Sequence, residues 1–289
     1  MGESLKRNVG LLSNRKELLM STVYLINIGA NSSHGSVARS PHFADGSFVF
    51  VPFPHPGGAL IRNYPRTCRP FIRTTSLNTH DDPDWSNLTY GDNCANGRAG
   101  SLQQVNEGDI LLFWGLLWRN SGNCWQHFDG SYGWYLFGAL RVAETLFGGQ
   151  RANHARPEHI ARARRNVHFN HGPLPQTHRV FVGDPRHSQL FERAVDLQVD
   201  RADGLLYRTI RAADGQPLTL NGRPKWNSSL RCCRPIWDLN VANDRTLAST
   251  VRDAIQTNNA YDLFADTLLE NAAQPSKSLD ASGGSASRN

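Results

Sequence analysis

Val23-Tyr24-Leu25-Ile26-Asn27-Ile28-Gly29-Ala30-Asn31-Ser32-Ser33-His34-Gly35 is the stretch whose reading decides the fold. Its first half is an apolar, β-branched run suited to a strand buried on both faces. Its second half turns to small and polar residues, which cannot extend a core. A buried strand that feeds such a loop is how α/β folds present chemistry at the end of a strand. The glycines and Ala30 leave room for a ligand. Asn27, Gly29, Asn31, Ser32 and Ser33 supply polar contacts to it, and His34 is an acid or base that titrates near neutral pH. The same residues also suit a capped turn, in which Asn and Ser satisfy local backbone groups.

Outward from this segment, Phe48–Val51, Asp109–Trp114, Trp134–Val142, Arg179–Val182, Ala194–Val199 and Leu206–Ile210 read as further strands. Asp45-Gly46, Asn120–Gly122, Asp129-Gly130, Asp203-Gly204, Asp214-Gly215 and Asn221-Gly222 supply turn signals. The Asp-Gly and Asn-Gly pairs beyond residue 200 predict hairpins or short meanders. Helices are expected at Pro157–Arg165, His187–Arg193 and Asp244–Glu270, the last from the spacing of Leu247, Val251, Ile255, Leu263 and Leu268, with a break near Asn258-Asn259 as an alternative. The expectation is a single mixed α/β domain on a curved, barrel-like β-sheet of PUA-like flavour, with flanking helices and a C-terminal helix. Its divisions are read as an N-terminal extension over 1–19 (with Met20 as an alternative start), the domain over 20–243, a helical segment over 244–273 and a Ser-, Gly- and Ala-rich disordered tail over 274–289.

With 289 residues the chain can bury a sizeable core. Hydrophobic content of 39% and charged content of 19% speak against disordered and membrane-spanning classes. No apolar stretch approaches the roughly 18 residues of a membrane-spanning helix. Met1–Ser21 carries charges and lacks a long apolar segment, so no membrane partner and a cytoplasmic location are expected. Five cysteines without C-x-x-C spacing argue against a disulfide framework or a structural zinc site. Cys232-Cys233 reads as small residues buried at a strand. The net charge is +6, and arginine far outnumbers lysine. Arginine suits phosphate forks and base stacking, which leans toward nucleic acid, although a GC-rich genome gives the same excess.

His80-Asp81-Asp82-Pro83-Asp84-Trp85, followed by Thr89-Tyr90-Gly91-Asp92-Asn93, gathers four carboxylates, a histidine and two aromatics. Such density suits proton transfer by one raised and one normal carboxylate, oxygen ligation of a divalent cation, or a solvated Asp-Pro turn. The expectation here is catalysis by Asp82, Asp84 and Asp92 with Tyr90 against the substrate. No spacing matches a known ligand signature, so no metal or other cofactor is evident and a divalent metal is not favoured. Trp114, at the end of the run Ile110–Trp114, is either a pocket wall or a core residue. In Arg151–Arg165, Arg156, Arg162 and Arg165 suit a phosphate track, or else a solvated face, and Asn170-His171 beyond them are placed at the site. Phe181–Ser188 reads as strand, turn and helix N-terminus, with Asp184 expected to be catalytic and Ser188 to bind substrate, unless either simply caps the helix.

Taken in order, several segments resemble one family. They are the strand with Asn27–Gly35, Asp82-Pro83-Asp84 with Thr89–Asp92, Gly108-Asp109 with its strand, Asn170-His171, and Val182–Asp184 with Ser188 and Phe191. Together these are similar to the nucleotide modification associated domain family of the third type, over roughly residues 20–240. The stretch Arg231–Trp237 departs from the simpler Arg-Asn-Pro-like pattern of that family. The resemblance implies association with bacterial and phage systems that make hypermodified DNA bases, and hence a nucleic-acid (DNA) or nucleotide partner, with other DNA-modification enzymes as further partners.

The reading that follows is an enzyme acting on a base in DNA, or on its nucleotide precursor, by hydrolysis, hydration or group transfer. A base inside a duplex would have to be flipped into the pocket. The competing reading is a non-catalytic reader that holds a modified base in a barrel pocket and recruits modification or restriction enzymes. The number of titratable residues leans toward catalysis. The segments Asn27–Gly35, Asp82–Asp92 and Gly183–Ser188 are expected to line one pocket.

Overall fold

The opening run forms strand β1 (Thr22–Asn27), whose side chains from Val23 to Asn27 are buried. The structure is a computed structural model that describes residues 21–55, 62–73, 78–148, 155–169, 174–197, 219–220, 223–224 and 233–263. The other strands are β2 (Pro41–His42), β3 (Arg62–Asn63), β4 (Asn78–Thr79), β5 (Thr89–Asn93), β6 (Ile110–Asn120), β7 (Phe128–Phe147), β8 (His178–Asp196), β9 (Thr219–Leu220), β10 (Arg223–Pro224) and β11 (Arg234–Asp238). Helix α1 covers Pro157–Ala163 and helix α2 covers Ala242–Asn258.

The main sheet runs β11-β1-β6-β7-β8-β5. β1 pairs with β6 in parallel and β2 extends the same side of β6, whereas the other pairs along the path are antiparallel. β7 and β8 are long, and their mutual register shifts at three places between Leu136 and Glu144. Such bulges bend a strand and sharpen its twist. The sheet accordingly curls into a half-barrel. Its two edges approach each other: the Tyr90 hydroxyl on β5 lies 3.6 Å from the Cys233 Sγ, just ahead of β11.

Alternation along the strands gives the sheet two apolar faces. Val23, Leu25, Ile110, Leu112 and Trp114 face α2, whose Ala248, Val251 and Ile255 cover them. Tyr24, Ile26, Leu111, Phe113, Phe137 and Phe181 pack with Tyr90 and Phe50 inside the curl. Each such aliphatic side chain contributes about 1.5–3 kcal/mol through burial. The far end of α2 is tied to β8 by paired hydrogen bonds between the Asn259 side chain and the Arg193 backbone.

Several sequence expectations need correction. His187–Arg193 is not a helix but part of the 19-residue strand β8, because its Ser188–Leu190 pairs with Gly138–Leu140 of β7. Phe48–Val51 makes an isolated bridge and side-chain bonds rather than a strand, with Val51 N–H donating to the Ser40 hydroxyl. β6 and β7 run well beyond the expected Asp109–Trp114 and Trp134–Val142. α1 matches the expected Pro157–Arg165, and α2 begins near the expected position. Around Asn221-Gly222, β9 and β10 pair antiparallel as a hairpin requires. The expected strand Leu206–Ile210, the N-terminal extension and the Ser-rich tail lie outside the described residues. Among the described residues, no helix is long and apolar enough to cross a membrane.

Candidate functional site

The connection from β1 to β6 spans residues 28–109, and it carries most of a cavity of about 480 Å³. The cavity opens at the end of β1, where Asn27, Ile28 and Gly29 meet Tyr90–Asn93 of β5. Among the described residues, five histidines reach it: His34, His55, His80, His168 and His178. Phe53, Asn31, Asp82, Asp92 and Arg98 complete its lining.

Each element delivers its side chain for a physical reason. Gly29 adopts φ +82°, and a Cβ there would lie 3.0 Å from the Phe50 ring, so only glycine turns the chain at that point. The chain then closes into a 3-10 turn, Ser32–His34. The Asn31 side chain accepts from Ser33 N–H at 3.0 Å and from the Ser33 hydroxyl at 2.6 Å, while Asn31 N–H donates to His34 Nδ1 at 3.3 Å. The capped turn and the ligand-facing loop are therefore the same structure. With Nδ1 accepting, the neutral His34 ring carries its proton on Nε2. Burial lowers the His34 pKa below its ordinary value.

Residues 53–55 and 78–80 run side by side, held by an antiparallel bridge between Pro54 and Thr79 and by the Thr79 hydroxyl donating to Phe53 O at 2.8 Å. That pairing brings His55 and His80 to ring centroids 6.2 Å apart, with Phe53 beside both. His80 in turn meets His168 edge-on at 5.0 Å, and His168 lies 5.1 Å from His178.

Asp82 is the anchor of this wall. Its carboxylate accepts from Gly91 N–H at 3.0 Å and from Asn166 Nδ2 at 2.8 Å, and its Oδ2 lies 3.6 Å from His168 Nε2. A Cβ on Gly91 would collide with the His168 ring, so the missing side chain lets His168 lie directly over β5. Asp92 has a different environment. Its Oδ2 accepts from the Tyr90 hydroxyl and from Arg98, each at 2.7 Å, and Arg98 also donates to Asn27 O at 2.9 Å. Arg98 thus ties the end of β1 to β5. Burial first, and then the Asp92 charge, push the Tyr90 pKa well above its ordinary value.

Two further titrations are shifted here. Burial lowers His178, with His168 adding to the effect and Asp92 opposing it. Asp81 is pushed up to about 6 by burial and by Asp84, against the pull of Arg62. The raised carboxyl in this segment is therefore Asp81, which the sequence reading passed over.

Of the residues expected at a site, the fold gathers Asn27, Gly29, Asn31, His34, Asp82, Tyr90 and Asp92 around the cavity. Ser32 and Ser33 belong to the turn but are exposed and do not line it. Asp84 is buried elsewhere, accepting from Asn87 N–H and Nδ2 and pairing with Arg62 at 3.2 Å. Trp114 sits in the core beneath α2, its ring centroid 4.7 Å from that of Trp134. Gly183–Ser188 does not join the cavity, because β8 continues through it. There the Ser188 hydroxyl accepts from Arg141 N–H at 3.0 Å, and Asp184 accepts from Arg186.

Of the expected phosphate track, Arg162 is committed within the fold, whereas Arg156 stays largely exposed. Arg162 donates to Asn87 O, Leu88 O and Gly183 O, and Arg156 donates to Ala143 O. Arg165 is exposed. Asn170 and His171 lie outside the described residues. The sequence reading missed His55, His80 as a wall residue, Arg98, His168 and His178. Their separation along the chain leaves no local motif, and the abundance of histidine was the available signal.

The half-barrel thus carries a recessed cavity walled, among the described residues, by imidazoles, carboxylates and a guanidinium. The profile of the family described as nucleotide modification associated domain 3 matches residues 22–234, from β1 to the start of β11. The chain belongs to that family, and so is associated with nucleotide modification systems. No curated protein and no solved structure matches the chain.

Proposed function

We propose that the protein is an enzyme that acts on a base in DNA, or on its nucleotide precursor, by hydrolysis, hydration or group transfer within this cavity. The observation that carries the reading is the convergence of five histidines with Asp82, Asp92, Tyr90 and Arg98 on one recess. Its volume, about 480 Å³, falls within the range of small-ligand sites, about 300–1,000 Å³. Membership of the family supports a nucleotide context.

In this reading Phe53 offers its ring to the flat face of a base, and Asn27, Asn31 and the backbone around Gly29 read its edge. His34, whose neutral ring carries its proton on Nε2, donates a hydrogen bond from that N–H to an acceptor atom of the substrate. A duplex substrate is flipped out of the stack before it enters. Asp84, Asp184, Ser188 and Trp114 have no part in the site.

A second reading keeps the pocket and removes the chemistry: a PUA-like half-barrel that holds a modified base and recruits other enzymes. The neighbouring rings of Phe53, His55 and His80 favour it, since stacking alone recognises a base. The test is mass spectrometry of nucleosides from DNA and from the nucleotide pool of a host with and without this gene. The enzyme reading expects a nucleoside that disappears, or a precursor that accumulates, when the gene is lost. An identical inventory in both hosts, with saturable nucleotide binding by the purified protein, would leave the reader. Absence of both overturns the proposal.

A further inference from the structure

His168 is out of balance with its surroundings. Its side chain is 4% exposed and lies against an Asp82 side chain that is 1% exposed, yet neither ring nitrogen makes a hydrogen bond. Buried imidazole nitrogens are normally partnered, and an unpartnered one carries a desolvation cost. The Asp82 Oδ1 accepts from Asn166 Nδ2, while Oδ2 accepts from Gly91 N–H and also faces His168 Nε2. A third donor set comes from His80, two residues before Asp82. One ligand atom from each of His80, Asp82 and His168 can be chosen so that all three lie within 4.8 Å of one another.

We propose that His80, Asp82 and His168 bind one divalent transition-metal ion on the wall of the cavity. Two imidazoles and one carboxylate are a donor set suited to zinc, iron(II) or manganese(II) rather than to magnesium or calcium, which take mainly oxygen ligands. Ligand atoms at about 2.0–2.2 Å from a common ion sit roughly 3.3–3.6 Å apart in tetrahedral geometry. The 3.6 Å between His168 Nε2 and Asp82 Oδ2 is already close to that span. Small rotations of His80, which is only half-buried, supply the remaining approach.

The supporting shell is also built. Asn166 Oδ1 accepts from the His168 backbone N–H at 3.0 Å, so one asparagine positions both the histidine and the carboxylate. Such outer contacts hold first ligands in place and tune their basicity. Three protein ligands leave coordination positions open, and here they face the cavity. A water or a substrate heteroatom takes those positions, so the ion would lie where a substrate enters. The proposal rests on the reading of this cavity as the site, and it makes the ion part of the chemistry applied to a nucleobase.

The test is metal binding by the full chain after chelation and dialysis. Zinc, manganese(II), iron(II) under anaerobic conditions and magnesium are titrated separately, with bound metal counted by mass spectrometry. A cobalt(II) titration adds an absorption band that reports nitrogen and oxygen ligation. About one transition-metal ion per chain is expected, unaffected by excess magnesium. His80→Ala and His168→Ala should each weaken its affinity at least tenfold, and Cys124→Ser should leave it unchanged. His80→Ala is the decisive variant, since a half-exposed side chain is removed without opening the core.

Absence of a stoichiometric ion overturns the proposal. So does an ion retained equally by both histidine variants. Nucleotide titration of the metal-free protein separates this outcome from failure of the functional reading. Metal bound without any nucleotide response sinks the function and keeps the site, whereas nucleotide binding without metal does the reverse.

Discussion

His34 shows at the scale of one residue how the site's chemistry is set by its backbone. Its Nδ1 accepts the Asn31 N–H that caps the turn, and burial lowers its pKa. The neutral ring is therefore favoured in the folded protein. A base with a depressed folded pKa contributes stability that is full above its unfolded value, about 6.5, and is lost as pH falls through the lower folded value. Ligand affinity should fall over the same window, because protonating Nδ1 removes the acceptor that holds the turn. In His34→Ala this component of the pH dependence should vanish, as read by ligand titration at several pH values. A variant with the native profile would contradict the account. Gly91 makes the complementary case. Gly91→Ala drives a methyl into the His168 ring, and overpacking of this kind costs about 1–3 kcal/mol. The expected result is a folded protein whose His168 resonances have moved; an unperturbed His168 would remove the argument for close approach.

Legibility differed by element, for reasons visible in the residues. β1 and β6 could be read because a central strand buried on both faces must be apolar throughout, and Val23–Ile26 and Ile110–Leu117 are. The loop after β1 could be read because Gly29 to Gly35 has no apolar alternative use. The segment His187–Arg193 could not, since its helical-looking charges sit on a strand whose identity is fixed by pairing with β7. Arg162 of α1 reads differently in sequence and structure for a similar reason. From sequence it looks like part of a phosphate track, whereas in the fold it spends its guanidinium on three carbonyls of the β5 approach and β8. Arg162→Ala should therefore lower unfolding free energy by about 2–4 kcal/mol, as stranded acceptors require. Urea denaturation measures that loss, and oligonucleotide binding should keep its native salt slope. Native stability with a shallower slope would return Arg162 to the phosphate track.

At the scale of the molecule, the curl of the sheet is what makes a site. Bulges along β7 and β8 bend the sheet until β5 approaches β1 and β11, and Arg98 closes the gap by binding both Asn27 O and Asp92. The long connection from β1 to β6 then lays His34, Phe53, His55 and His80 across the mouth, while His168 arrives from beyond α1. Half of the site was legible because it lies in two local segments. The other half depends on contacts such as His80 with His168, which no spacing along the chain encodes. The central claim is that a nucleobase enters among these histidines. Histidine ring NMR signals recorded during titration with nucleoside monophosphates and short oligonucleotides test it directly. Saturable shifts in His34, His55, His80, His168 and His178, with His127 and His187 unmoved, are the predicted result; shifts confined to His127 and His187, or none at saturating ligand, would contradict it.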